Sequence, residues 1–389
     1  MFLVYGATGD AMGFPVEAGV VDKVDGFIDW TNPKTMENIK RGEYSDDTQM
    51  TLAIARSIWN GEFHPDYFAY VELPLWVYYK RGAGKATTKA ALNMFSPRIQ
   101  WYSNFYPGYE EAGGSGAAMR ISPIVAAFDD LSDIVKYVIY STIITHGNSN
   151  ALWGALLAAD VMVLAKDKKT VDKASILETL KIFYEIAKNI LTSDDFINEW
   201  KKVRSEDFLS EFENTFKTVL AKIENINLND EYPLICRKSG EYDTPGMGLS
   251  VALCVAGLAM KIRKEPAKEL LFMAANEKGT DTDTIASILG SVIGFYGEYS
   301  ELSEMAKSVQ DYEYMLRIQQ SLLSGEFEER KVDRQEVRKY AMELEKALKA
   351  SKLPNIPHPV FGKLQIVEER GKFFKVATEE GQTIFMKHQ

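Results

Sequence analysis

Along most of this chain apolar residues recur at three- and four-residue intervals, the spacing of helices with one buried face. Met50, Ile54 and Ile58 form one such row, behind a polar start at Tyr44-Ser45-Asp46-Asp47-Thr48. Ile285, Ile288, Leu289, Val292 and Ile293 form another, behind Gly279-Thr280-Asp281-Thr282-Asp283-Thr284. The same periodicity predicts helices over 66–80, 87–94, 131–145, 150–165 and 266–275. The run from Gly246 to Met260, 15 residues long, is apolar enough for a helix buried on all sides. It falls short of the roughly 18 to 20 residues that span a bilayer. Residues 167–230 alternate charged and apolar positions, as scaffold helices with solvated outer faces do. A last amphipathic helix starts at Asp333, has Glu336 in capping-box position, and buries Val337, Tyr340, Leu344 and Leu348.

The period then changes. Pro354, Pro357 and Pro359 make a stiff linker. Beyond it, 364–369, 373–378 and 383–387 read as three short strands separated by turns at Arg370-Gly371 and Glu380-Gly381. The expected fold is all-α: a compact multi-helix domain over residues 1–350, a Pro-rich linker over 351–362, and a small C-terminal β-meander over 363–389. Three such strands are too few to fold alone, so they are expected to pack on the helical body.

Composition narrows the partners. Of 389 residues, 46% are hydrophobic and 26% charged, which marks a globular chain rather than a disordered one. A net charge of −10 argues against a protein built to grip nucleic-acid backbone, since that affinity comes from many Lys and Arg contacts to phosphate. Only a local basic patch at Arg81, Lys85 and Lys89 could meet a nucleic acid. The two cysteines, Cys236 and Cys254, have no metal-binding spacing and suggest neither zinc nor a disulfide framework. No targeting or membrane segment is read, so the expected setting is cytoplasmic and reducing, and the expected state is a monomer.

The chemistry concentrates at the two acidic turns. One carboxylate at a helix N-terminus is stabilised by the free amides and the helix dipole, but two side by side repel unless something neutralises them. Taken singly, either turn is most simply a capping motif. Two of them, each with an Asp pair and hydroxyls, offer an all-oxygen donor set suited to Mg²⁺ or Mn²⁺ rather than zinc. Upstream, Tyr5-Gly6-Ala7-Thr8-Gly9-Asp10-Ala11-Met12-Gly13 sets one acid among small residues that allow close helix packing. Gly113-Gly114-Ser115-Gly116 is a glycine-rich turn that could cradle a phosphate. The Tyr-, Phe- and Trp-rich stretch 95–111 is either an aromatic pocket wall or a packed loop. A single His at Thr145-His146-Gly147 is more often a helix-end hydrogen-bonding residue than a ligand or base.

Five ordered blocks together carry a resemblance: Gly9-Asp10-Ala11-Met12-Gly13 to Glu17, Ser45-Asp46-Asp47-Thr48, Gly114-Ser115-Gly116-Ala117-Ala118-Met119-Arg120 with Pro123, Thr145-His146, and Asp281-Thr282-Asp283-Thr284 with Gly290 and Gly294. The chain resembles the ADP-ribosylglycohydrolase family over residues 5–298. The resemblance implies a binuclear Mg²⁺ (or Mn²⁺) centre held by Ser45, Asp46, Asp47, Asp281, Asp283 and Thr284, with Asp10 supporting it from behind. It implies Glu17, Asp47 and Asp283 as catalytic acids, and Gly114, Ser115, Gly116, Met119, Arg120 and His146 as substrate-binding residues. The implied reaction is hydrolysis of the bond between ADP-ribose and a protein side chain or small conjugate; the alternative is a non-catalytic ADP-ribose binder or crystallin-like structural member. The chain departs from the family at Thr280, where glycine is usual, and at Ser115, where asparagine is common. It also has Arg81-Gly82-Ala83-Gly84-Lys85 where arginine-directed relatives carry an acid. The last departure speaks against arginine specificity rather than against hydrolysis.

Overall fold

The computed structural model describes residues 1–202, 204, 207–229 and 245–388. Cys236 and the loop at 237–244 lie outside the described residues. The body is helical throughout: α1 (Phe2–Glu17), α2 (Asp46–Ala55), α3 (Lys85–Asn93), α4 (Leu131–Ile143), α5 (Ser149–Lys166), α6 (Lys173–Ser193), α7 (Phe208–Asn225), α8 (Gly248–Ala259), α9 (Ala267–Asn276), α10 (Thr282–Tyr296), α11 (Tyr312–Ser324) and α12 (Arg334–Lys349), with shorter turns between them. Two antiparallel ladders of two residues per strand, β1 (Trp30–Thr31) with β2 (Asn38–Ile39) and β3 (Ile58–Trp59) with β4 (Glu62–Phe63), interrupt what the periodicity reads as unbroken helix. Each is too short to leave a period-two signal. Among the described residues no helix is long and apolar enough to cross a membrane.

At the centre lie α1 and α10, both buried along nearly their whole length. Their glycines make this possible. A Cβ on Gly9 would sit 2.1 Å from the Ala286 carbonyl oxygen, and one on Gly290 would sit 2.2 Å from that of Tyr5. Backbone therefore meets backbone, and the Thr282 hydroxyl donates to the Gly13 carbonyl at 2.9 Å. This contact fixes the start of α10 against the last turn of α1.

Around this pair the apolar α5 and α8 complete the core. The scaffold helices α6 and α7 then cover α5 with stacked rings, Trp153 against Phe212 and Phe216 and Tyr184 against Phe216. Cys254 is buried in α8.

The tail forms one antiparallel sheet, β5 (Leu364–Arg370), β6 (Phe373–Thr378) and β7 (Thr383–Lys387), in sequence order. The stretch before it is not a free spacer. His358, Val360 and Phe361 are buried, and Phe361 packs edge-on to Tyr79 with the Arg56 guanidinium 5.0 Å from its ring. The segment turns back on itself at His358–Gly362, and apolar burial anchors it.

Candidate functional site

The first acidic turn is organised from α1. Asp10 is completely buried; its Oδ1 accepts from the Ser45 amide at 2.9 Å, and its Oδ2 accepts from the Thr48 amide at 2.9 Å and the Thr48 hydroxyl at 2.6 Å. Asp10 thus caps α2 from another helix, which leaves the α2 acids free to point elsewhere. The Ser45 hydroxyl accepts from the Asp47 amide at 3.3 Å and donates to Asp47 Oδ2 at the same distance. The second turn opens α10, where Asp281 Oδ2 accepts from the Ser115 hydroxyl at 2.8 Å and Asp283 Oδ1 accepts from the Thr284 amide at 2.9 Å.

Because α1 lies against both helices, the two turns face one cavity of about 250 Å³. Glu17, Asp46, Asp47, Asp281, Asp283 and Thr284 line it, together with Gly114, Ser115, Gly116, Met119 and His146. Two expected members are elsewhere. Ser45 is fully buried behind the Asp47 carboxylate rather than on the cavity wall. Arg120 is buried in the core, donating to the Ser141 carbonyl at 2.6 Å and the Thr145 hydroxyl at 2.7 Å with its guanidinium over Phe68, and it does not line the cavity. It acts on the cavity at one remove. The Thr145 hydroxyl that accepts from Arg120 also lies 2.7 Å from His146 Nδ1 and so links the two side chains. Burial, with Arg120 nearby, lowers the His146 pKa to about 3, so the ring is neutral.

Gly82, Gly84 and Lys85, from the loop singled out in the sequence, also line the cavity, and so do Ala86, Thr87 and Gly246, which sequence reading missed. Gly246 has φ +83°, and a Cβ there would lie 3.2 Å from Asp281 Oδ2; its carbonyl accepts from the Ser115 amide at 2.8 Å. The Pro245-Gly246 pair was a visible turn signal, but nothing in sequence tied it to Ser115. The aromatic stretch 95–111 contributes no wall. Tyr106 and Tyr109 are buried, and their hydroxyls donate to the Thr145 and Ile143 carbonyls. The basic patch does not form either, since Arg81 is buried between Glu37 and the Tyr44 carbonyl.

The electrostatics are one-sided. Burial pushes Asp46, Asp47 and Asp283 well above the ordinary carboxylate range, and their charged neighbours push the same way: Asp10 and Glu17 on Asp46, Asp10 and Asp46 on Asp47, Glu17 and Asp47 on Asp283. Glu17, open to solvent on one side at the end of α1, is raised to about 7 by the packed protein around its carboxyl and by Asp281, with Lys34 opposing. Asp47 Oδ1 is buried without a hydrogen-bond partner. Among the described residues no three His, Cys, Asp or Glu side chains already converge as a preformed metal cage. The donor set is carboxylates from two turns together with the Thr284 hydroxyl, and its unmet acceptor and mutual repulsion fit a hard divalent cation.

This makes a prediction about stability. A carboxyl whose folded pKa is raised stabilises the fold below its unfolded pKa, and that contribution is lost as pH rises toward the folded value. Cation-free protein is therefore expected to melt lower at about pH 8 than at about pH 5.5, and saturating Mg²⁺ to raise Tm more at the higher pH, where protons no longer compete. Thermal melts at both pH values, with and without Mg²⁺, check this. Equal Mg²⁺ increments at the two would count against it.

With the site described, its relatives can be compared. The ADP-ribosylglycohydrolase family model matches residues 2–333. The chain is 26% identical over 305 residues to an uncharacterized protein of Archaeoglobus fulgidus, covering 75% of this chain and 85% of that one. It is 24% identical over 295 residues to the ADP-ribosylhydrolase ARH3 of Gallus gallus, covering 72% and 77%. A solved structure, an ADP-ribosylglycohydrolase-related protein complex, superposes with a TM-score of 0.52 at 17% identity over 84% of this chain and 98% of that one, a likeness of fold alone. Both acidic turns and the glycine-rich turn fall within the matched span, and the chain belongs to the ADP-ribosylglycohydrolase family.

Proposed function

We propose that the protein hydrolyses the glycosidic bond between ADP-ribose and an acceptor, a protein side chain or a small conjugate. The observation that carries this reading is the convergence of Asp46, Asp47, Asp281 and Asp283 from two helix starts on one cavity that a glycine-rich turn also lines. The ARH3 proteins of Gallus gallus and Xenopus tropicalis, named as ADP-ribosylhydrolases, support it as distant relatives. Two Mg²⁺ or Mn²⁺ ions would be held by Asp46, Asp47, Asp281, Asp283 and Thr284, with Ser45 behind Asp47, and would supply positive charge and Lewis acidity beside the ribose.

The chain's own groups do the rest. The neutral His146 ring and the Lys85 ammonium meet the anionic diphosphate along the Gly114–Gly116 turn, where a Cβ on Gly116 would press to 2.8 Å from Thr87 Oγ1. Cleavage builds positive charge at the anomeric carbon and needs a proton delivered to the leaving group. Glu17, titrating near neutrality at the mouth, moves the proton between water and leaving group. On the far side of Glu17 and Gly82 a second cavity, also about 250 Å³, is lined by Asn32, Lys34 and Lys80 and takes the acceptor.

The test is a substrate panel with Mg²⁺, reading release of free ADP-ribose from arginine-, serine- and acetyl-linked conjugates and from modified DNA and RNA. Turnover of at least one protein-type or small conjugate, abolished by EDTA, is expected. Tight ADP-ribose binding without turnover of any would leave a binding protein instead. Faster processing of nucleic acid, falling steeply with salt, would overturn the acceptor assignment.

A further inference from the structure

The family match ends at residue 333, so nothing about the C-terminal sheet follows from it. Yet one set of that sheet's contacts with the body reaches Glu43 and Tyr44, the residues that lead into the first acidic turn. Phe385 of β7 lies between two guanidiniums, Arg81 at 3.9 Å and Arg370 at 5.3 Å from its ring centre. Arg370 Nη1 donates to both oxygens of Glu43, at 2.8 and 3.0 Å. Arg81 donates to the Tyr44 carbonyl at 3.2 Å, to Glu43 at 3.4 Å and to Glu37 at 3.0 Å. The Tyr44 hydroxyl donates to Asp311 at 2.6 Å, and the same carboxylate accepts from the Thr383 amide at 3.0 Å. Gln382 completes the set, donating to the Tyr44 hydroxyl at 3.4 Å and accepting from Arg56 at 2.6 Å.

The contacts to Glu43 and Tyr44 end within two residues of Ser45, and those to Arg81 end beside Gly82. Gly82 lines the cavity at φ +80°, and a Cβ there would lie 3.2 Å from Asp46 Oδ1. Glu37, Glu43, Arg81 and Arg370 are all buried. A sheet that only covered apolar surface would need no such directional, charged contacts, since buried ion pairs add little net stability over apolar residues of the same volume. They do fix geometry.

We infer that β5–β7 is a positioning element for the site, with Arg370 and Phe385 holding Glu43, Tyr44 and Arg81 so that Asp46 and Asp47 face the cavity. Its activity readout rests on the proposed metal-dependent hydrolysis; its structural readout does not.

The experiment uses the full chain with Phe385→Leu and Arg370→Met, and Val367→Ser on the exposed face of the same sheet as control. Three readouts are taken: Mn²⁺ affinity by calorimetry without substrate, hydrogen exchange of the amides of 44–52, and kcat and KM. Both variants are expected to bind Mn²⁺ about 10- to 100-fold more weakly, to lose kcat by a similar factor with KM within about twofold, and to exchange faster at 45–48. Arg370→Lys, which keeps the charge but loses the fork, is expected to fall between, and is read alone if Arg370→Met does not fold. Wild-type affinity, kcat and exchange in the folded variants would overturn the inference. If the wild type itself neither binds Mn²⁺ nor turns over, the proposed function falls, and exchange at 45–48 still decides the positioning role: faster in the variants supports it, unchanged overturns it.

Discussion

Asp283→Ala is expected to lower turnover by at least about a thousandfold and to abolish the Mg²⁺-dependent rise in Tm. Asp283 sits in the first turn of α10, buried, facing Glu17 and Asp47 across the cavity. Removing it takes away a donor that joins the two acidic turns, so the remaining groups can no longer gather charge at one point. Stability moves the other way. One fewer buried, mutually repelling carboxylate should raise the melting temperature of the cation-free variant at about pH 8, since the lost group contributed unfavourably above its unfolded pKa. Activity and cation-free stability therefore shift in opposite directions, a pattern that generic misfolding does not produce. Single-turnover release of ADP-ribose, Mn²⁺ calorimetry and thermal melts on the same sample measure it. Full activity in Asp283→Ala would sink the proposed mechanism.

The largest stability effect is expected at Gly9→Val. The first added carbon would lie 2.1 Å from the Ala286 carbonyl oxygen and 2.4 Å from its carbon, both backbone atoms of α10 that cannot rotate away. The helices must separate, at a cost of roughly 3 kcal/mol or more, at the upper end of overpacking penalties. Denaturant titration by circular dichroism measures this. The damage also reaches the site, because Asp10 follows Gly9 directly and holds the Ser45 and Thr48 amides. Folded Gly9→Val is thus expected to lose Mn²⁺ affinity, whereas a variant with wild-type stability would show that α1 and α10 pack more loosely than their glycines indicate.

Local pattern was enough where local physics decides. The 3.6-residue rows placed α2, α9, α10 and α12 to within a few residues, and the apolar run placed α8, which is buried on every side. The turns at Arg370-Gly371 and Glu380-Gly381 bounded the three C-terminal strands because positive φ at Gly371 and Gly381 suits glycine. The acidic pairs could be recognised as unusual at both helix starts, because adjacent carboxylates carry their own electrostatic cost.

Other features depended on what a residue meets across the fold. Arg120 looks like a ligand contact in a glycine-rich turn, but its side chain runs inward to Ser141 and Thr145, and only His146 reaches the cavity. Tyr106 and Tyr109 could have lined a pocket; the free carbonyls at the end of α4 drew their hydroxyls into the core instead. Arg81 read as surface charge and is buried by Glu37, Glu43 and Phe385, partners up to 304 positions away in sequence. The sequence by itself determined that this is a helical chain with two acidic helix starts and a small β tail, since periodicity, capping and turn chemistry act over a few residues. Only the tertiary structure decided that those starts share one cavity and that the tail stands behind one of them, because burial and charge pairing depend on distances that chain order does not contain.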